Sequence, residues 1–409
     1  MATTLPHPAL ASAAEAFGTP LFVYDLATVR ERRAGLARAL PDVDVRYAVK
    51  ANSSLAVCAT LAREGLGAEV CSDGELALAL AAGFDPARIV LGGPAKTDAT
   101  YAAALDAGVG LVVVESVTDA RRLDDAARRA GRVQHVLLRI NPAAPPPGLG
   151  VPISGGASKF GVDEEEAADA LRRVAALPGL RVDGIHVFVE SSICDTAVLV
   201  RMHGFTLELA DRMRAEGIAV ETVNLGSGLG VPYRPDEAPL DLEAYAARMR
   251  EARAAAAHPY RIVMEVGRYL VAECGTYLTR VLDVKRSRGR TFAVVDGGIH
   301  NLYRRAMAHA NDLAVVVGRG GPTVPVAVGG ILPAPDDVLT EAVELAAPEP
   351  GDLIAIPHCG AYTFTHSISR FTLHPTAAEA VLDGGRLSLA RERGTPQDAL
   401  AGQLLAAPA

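Results

Sequence analysis

The sequence predicts an α/β protein: a (β/α)8 TIM barrel joined to a second, mostly β-stranded C-terminal domain. Three observations carry that prediction. Between residue 45 and about residue 270, eight short β-branched runs alternate with Ala/Leu/Arg segments of helical spacing. Each run but the last is followed by a clear helical segment, which is the arithmetic of such a barrel. Beyond about residue 275 long helical segments give way to further strand-like runs. An open, doubly wound sheet is the competing arrangement for the same alternation.

The strand-like runs are 45–50, 67–72, 89–94, 110–116, 133–142, 182–189, 222–228 and 261–267. Helical patterns cover 53–64, 73–82, 96–107, 118–130, 163–177, 196–216 and 240–257. Several begin at Ser, Thr or Asp and stop at Gly, as capping requires; Asp73 opens one and Gly83 closes it. Residues 142–157 hold too much Pro and Gly for regular structure and read as a long loop at the strand ends. In the second domain, 276–285, 291–295, 323–328, 352–356, 371–374 and 386–389 read as strands, and 21–24 is a strand that can join them. The expected division is 30–272 for the barrel and 1–29 plus 273–409 for the β domain.

Composition narrows the function. The chain has 409 residues, 50% of them hydrophobic and 22% charged, enough apolar material for two cores. Its net charge of −8, with no tryptophan, argues against a nucleic-acid binder, which would be basic and rich in stacking rings. Five cysteines (Cys58, Cys71, Cys194, Cys274 and Cys359) form no CxxC pair, so neither a disulfide scaffold nor a metal site is expected. No signal segment or membrane span is read, and the expected location is the cytoplasm.

In a barrel of this kind the reactive residues lie at the carboxyl ends of the strands. Lys50 ends the first run, Glu69 lies in the second, Arg139 in the fifth, and His186 and Phe188 in the sixth. The seventh runs into Gly226, Ser227, Gly228, Leu229 and Gly230, and the eighth carries Glu265, Gly267 and Arg268. Singly, each has an ordinary reading: a surface lysine with its stem on an apolar wall, a tight turn, a solvated carboxylate, a surface arginine. Together they supply an amine that burial would turn into a nucleophile, a backbone turn able to hold a phosphate, and an acid for a pyridinium nitrogen. That set matches what pyridoxal 5'-phosphate needs.

The chain resembles the fold-type III pyridoxal-phosphate decarboxylases, the diaminopimelate and ornithine decarboxylase family, over almost its full length. Tyr47-Ala-Val-Lys50-Ala-Asn52 is similar to the family's cofactor-lysine motif. The stretches from Ala68 to Glu75, Leu138 to Ile140, Ser158 to Gly161, Glu265 to Arg268 and Gly360 to Thr363 follow in family order. The resemblance implies an alanine racemase-like fold, a homodimer and a Schiff base on Lys50. It implies that Glu265 holds the ring nitrogen protonated. It further implies that Gly226, Ser227, Gly228, Gly230, Gly267, Arg268, Ser191 and Tyr362 surround the phosphate. Glu69, Arg139, His186 and Phe188 would lie near the ring.

Two departures bear on the substrate. Relatives carry a proton-donating cysteine and an acidic residue where this chain has Pro333 and Ala334, followed by Asp336 and Asp337. The sixth strand reads His186-Val-Phe188-Val-Glu190-Ser191, with Phe for a stacking histidine and Glu190 for a glycine. Phe188 at that stacking position and the stretch Asp296-Gly-Gly-Ile-His300 resemble more closely the decarboxylases of secondary-metabolite and siderophore pathways, some of which act on conjugated or carrier-linked amino acids. Arg304, Glu190 and Asp337 are the candidate substrate contacts, and Cys359, Cys194 and His358 are alternative proton donors. The implied function is decarboxylation of an amino acid or conjugate, free or tethered to a carrier protein, with a non-standard proton donor. A cofactor-binding homologue without that activity, or another carbanion reaction such as racemisation, is the alternative.

Overall fold

The computed structural model describes residues 5–144 and 155–405, and only the backbone of Arg304. Of the loop expected over 142–157, residues 145–154 lie outside the described residues. The chain divides into two compact units. One comprises Arg30–Pro232 and Ala238–Leu270; the other gathers the chain up to Val29, Tyr233–Glu237 and the chain from Val271 on.

In the first unit, eight parallel strands among the described residues close on themselves. They are Val43–Ala48, Gly67–Val70, Ile89–Leu91, Leu111–Val114, Gln134–Asn141, Leu180–His186, Thr222–Asn224 and Arg261–Val266. Each pairs with the next, and the last pairs with the first. The barrel strands are buried on both faces, so Leu111–Val114 reads as an unbroken apolar run. Inside, Val90, Leu111, Val113 and Leu137 pack together.

The intervening helices are set by local chemistry. Thr97 accepts from the Thr100 amide and forms a reciprocal capping box for Asp98–Ala107, and Gly108 ends that helix at φ +78°. The helix Asp73–Ala82 is capped by Ser72, one residue earlier than expected, because the Ser72 side chain accepts from the Glu75 amide. Gly83 closes it at φ +88°.

The second unit is built on a mixed sheet of parallel and antiparallel pairs. Its strand order is Val338–Ala346, Thr323–Gly329, Arg290–Val295, Gly275–Ser287, Leu21–Asp25, Ala378–Asp383 and Arg386–Arg391. Leu353–Ile356 also pairs with Gly275–Ser287. The N-terminal strand therefore does join this sheet, antiparallel to one neighbour and parallel to the other. Leu10, Ala13, Leu21, Val23, Leu278 and Ala380 form its core. The strand expected at 371–374 is instead a 3-10 turn, Phe371–Leu373, with Thr372 at φ +56° and Leu373 at φ +58°. Those left-handed dihedrals forbid an extended pairing.

Among the described residues, no helix is long and apolar enough to cross a membrane. Among them, too, no group of three or more His, Cys, Asp and Glu side chains is placed to hold a metal ion.

Candidate functional site

The first barrel strand stops at Ala48, and Lys50 sits just beyond it on a single 3-10 turn, Val49–Ala51. Two bonds fix that turn. The Tyr47 hydroxyl donates to the Asn52 carbonyl at 2.8 Å, and the Asn52 side chain accepts from the Ser54 amide at 2.8 Å. The Lys50 side chain is 41% exposed, while its partner Glu69 is buried at 4%. Lys50 Nζ donates to Glu69 Oε2 and faces Cys71 Sγ at 3.8 Å. The Cys71 thiol in turn donates to Glu69 Oε1 at 2.8 Å. Burial, and then the Glu69 charge, push the Cys71 thiol well above the usual thiol range, so it keeps its proton. Sequence reasoning chose Lys50 and Glu69 and missed Cys71. The signal was there: Cys71 lies two residues from Glu69 within the strand-like run 67–72, where alternate residues share a face, although the strand itself ends at Val70.

A second group surrounds Glu265 in the eighth strand. Its Oε2 lies 3.3 Å from His186 Nε2, and its Oε1 accepts from Asn224 Nδ2 at 2.7 Å. Burial alone would raise this carboxyl. The His186 contact, the Lys50 charge and the Asn224 bond outweigh that and hold it well below the usual carboxylate range. His186 Nδ1 is buried with no hydrogen-bond partner among the described residues. Strand register sets Arg139 beside His186, and His186 beside Asn224, so all three lie at one level of the barrel.

Arg139 is oriented from two sides. Glu115 Oε1 pairs with its Nη1 at 3.0 Å, and Phe160 lies beneath its guanidinium at 4.3 Å. Glu115 Oε2 accepts the Gly161 amide at 2.7 Å, so one carboxylate ties Arg139 to the stretch from Ser158 to Gly161. Neither Asn224 nor Glu115 was singled out from sequence; each ends its own strand or directly follows one.

The glycine turn is held tightly. A Cβ at Gly226, which has φ +56°, would meet Phe188 Cδ2 at 2.6 Å. At Gly230 a Cβ would meet the Ser192 carbonyl carbon at 2.7 Å. Three of the turn's N–H groups already have protein acceptors. Gly226 donates to Asn224 Oδ1, Leu229 to Ser227 Oγ and Gly230 to the Ile193 carbonyl. The half-buried Phe188, Glu190 and Ser191 lie on the segment packed against this turn. Gly267 follows the eighth strand, and Arg268 starts the short helix Arg268–Val271.

The barrel unit thus assembles Lys50, Glu69, Arg139, His186 and Glu265 at its carboxyl end. The donor set fits pyridoxal phosphate: a reachable amine, an ionised carboxylate deeper in the barrel, and a glycine turn whose backbone would not tolerate a side chain.

The remaining candidates belong to the β unit. Tyr362 follows Gly360 at φ +55°. The side chain of Arg304 lies outside the described residues. Cys359 and His358 are buried, and the Cys359 thiol lies 3.3 Å from Arg305 Nη1. Asp337 is buried, and its two oxygens accept the amides of Ile299 and Leu332, each at 2.7 Å. Its carboxylate is therefore engaged in closing the loop that carries Pro333 and Ala334. Asp337→Ala should leave those amides unsatisfied and lower unfolding stability by about 2–4 kcal/mol in a denaturant titration. Cofactor absorbance should be unchanged.

Comparison with known proteins follows the same lines. A family model for the pyridoxal-dependent decarboxylase, pyridoxal binding domain, matches residues 26–272. Diaminopimelate decarboxylase from Neisseria meningitidis is 35% identical over 98% of this chain and 98% of its own. An L-glutamyl-[BtrI acyl-carrier protein] decarboxylase from Niallia circulans is 31% identical over 95% of this chain and 94% of its own. The crystal structure of diaminopimelate decarboxylase from M. jannaschii superposes with a TM-score of 0.91 at 27% identity, covering 97% of this chain and 94% of that one.

Proposed function

The chain belongs to the pyridoxal-dependent decarboxylases, and from that premise we propose that it removes CO2 from an amino acid or amino-acid conjugate of a specialised pathway. It is a pyridoxal-phosphate-dependent amino-acid decarboxylase; the proposal concerns which substrate it takes and what protonates the product.

When bound, pyridoxal phosphate supplies a carbonyl carbon that condenses with amines and a pyridinium ring that accepts an electron pair. Lys50 would hold the carbonyl carbon, and its partial exposure leaves it reachable by a substrate amine. Glu265, kept ionised, would hold a proton on the ring nitrogen. Arg139, His186 and Phe188 would flank the ring. Gly226, Ser227, Gly228, Gly230, Gly267, Arg268 and Ser191 would bind the phosphate. Glu69 would stay beside the lysine nitrogen. The enzyme would act as a homodimer in the cytoplasm.

The observation that carries the substrate reading is Asp337. Position 333 is proline and position 334 alanine, and both Asp337 oxygens are engaged by backbone amides. This loop has no thiol to protonate the product, and Ala334 stands where relatives carry the acid that would meet a distal ammonium; Asp337 is engaged, and Asp336 is exposed two residues further along the loop. A substrate whose far end is uncharged or carrier-linked suits it better than ornithine or diaminopimelate. The relative acting on a carrier-linked glutamyl group supports the reading. Seven diaminopimelate decarboxylases at 33–36% identity favour the second reading, diaminopimelate itself.

The test is CO2 release by cofactor-loaded protein from meso-diaminopimelate, L-ornithine, L-lysine, and glutamate both free and on an acyl-carrier protein. Turnover of the carrier-linked compound, with the diamino acids at least about tenfold slower in kcat/KM, is expected. Faster turnover of meso-diaminopimelate establishes the second reading. Bound cofactor with no CO2 from any of them supports a binding protein without decarboxylase activity.

A further inference from the structure

The Lys50–Glu69 pair has a third member. Cys71 Sγ donates to one oxygen of Glu69 while Lys50 Nζ donates to the other, and sulfur and nitrogen lie 3.8 Å apart. The thiol is itself held in place. The Cys71 amide donates to Glu75 Oε2 at 2.7 Å, and the Glu75 amide donates to the Ser72 hydroxyl at 3.2 Å, at the start of the helix Asp73–Ala82. A Cβ on Gly93, which has φ +102°, would lie 3.4 Å from the Cys71 carbonyl oxygen, so the neighbouring loop also closes on this residue.

We propose that Cys71 is a positioning residue of the lysine site: its thiol occupies Glu69 Oε1, turns Oε2 toward Lys50, and so sets the pH at which the Lys50 nitrogen changes charge. The proposal rests on the reading of Lys50 as the cofactor lysine. The physics is that of a shared acceptor. A donor on one carboxylate oxygen draws charge from the other, so the cation on the second oxygen is held less firmly than it would be by a bare carboxylate. The charged groups facing this cluster are Lys50, Glu69 and Glu75, with Glu265 beyond Lys50. Among them the thiol is the neutral donor, and it needs its proton only to keep the geometry.

The experiment has two arms. In the first, full-length cofactor-free protein is labelled with acetic anhydride across a pH series, and acetylation of Lys50 is read by mass spectrometry. Cys71→Val should raise the midpoint of Lys50 by about half a unit to one unit, and Cys71→Ser, which keeps a donor, should restore the wild-type value. Cys71→Ala serves as a second donor-less variant if the valine does not fold. In a Glu69→Gln background the Cys71 substitutions should shift nothing further, which a purely packing role would not produce. An unmoved midpoint, a downward shift, or an equal shift with serine overturns the proposal.

In the second arm, the visible absorbance of protein loaded with pyridoxal phosphate is titrated with pH, and the same upward shift is expected for Cys71→Val. If wild-type protein acquires no absorbance while the labelling shift is present, the cofactor reading fails and the role of Cys71 toward Lys50 stands.

Discussion

Lys50→Ala should leave no pyridoxyl group on the protein after incubation with pyridoxal phosphate and reduction with borohydride. In wild-type protein the reduced group should be found on the peptide that carries Lys50. Decarboxylation should fall by at least about a thousandfold, because a nucleophile that works as part of a unit cannot be replaced by its neighbours. The structure gives the reason for so large an effect. Lys50 is the amine paired with Glu69, and its place on the Val49–Ala51 turn is fixed by the Tyr47 and Asn52 bonds. Alanine keeps that turn, so the loss should be chemical and not a loss of folding. Removing the ammonium leaves Glu69 with Cys71 as its donor, deep in the barrel at 4% exposure, where an uncompensated charge is costly. A modest drop in stability should accompany the loss of activity. A pyridoxyl group retained elsewhere in the variant, or activity within tenfold of wild type, would assign the chemistry to a different amine.

How far the sequence revealed this arrangement depended on the range of the forces involved. All eight barrel strands were legible, because parallel strands buried on both faces leave dense β-branched runs. The helices between them were legible where capping is local, as at Thr97 and Gly108. The helix Leu26–Ala39 went unread: its many arginines break the apolar stripe, although Asp25 just before it accepts the Ala27 amide at 2.9 Å. Strands Val338–Ala346 and Ala378–Asp383 went unread because Glu and Ala dilute their β-branched character, and their pairing partners are distant in sequence. In the site, Lys50, Glu69, Arg139, His186 and Glu265 stood out as reactive groups at strand ends. Their orienting partners did not. Asn224 and Glu115 act through contacts 41 and 24 residues away, which no local spacing reveals. Asp337 illustrates the same limit from the other side. As a candidate substrate contact it was read from its place beside a motif; the structure shows its two oxygens accepting the amides at 299 and 332, a use no local spacing reveals.

Glu265→Gln should separate cofactor binding from chemistry. Glutamine is nearly isosteric and can still accept from Asn224, so Lys50 should still capture the cofactor and its absorbance should appear. What is lost is a negative charge in a site where it is held ionised against burial by His186, Lys50 and Asn224. A neutral amide cannot hold a proton on a ring nitrogen, and without that positive charge the ring is a poorer electron acceptor. Decarboxylation should fall by on the order of 100-fold or more, in kcat far more than in KM, because the ring proton that Glu265 would hold serves the chemical step and not the capture of substrate. Glu265→Asp, charged but one methylene shorter, should recover part of the rate. Stability supplies an independent check. The folded-state pKa of Glu265 lies below its ordinary value of 4.5, so its ionised form stabilises the fold above that pH, and the contribution fades as pH falls through the folded value. The stability difference between wild type and Glu265→Gln, read by denaturant titration, should therefore be widest near neutral pH and narrow steadily below about 4.5. A difference that stays constant across that range would mean that Glu265 is not held ionised by its neighbours, and a variant with wild-type kcat would remove it from the chemistry altogether.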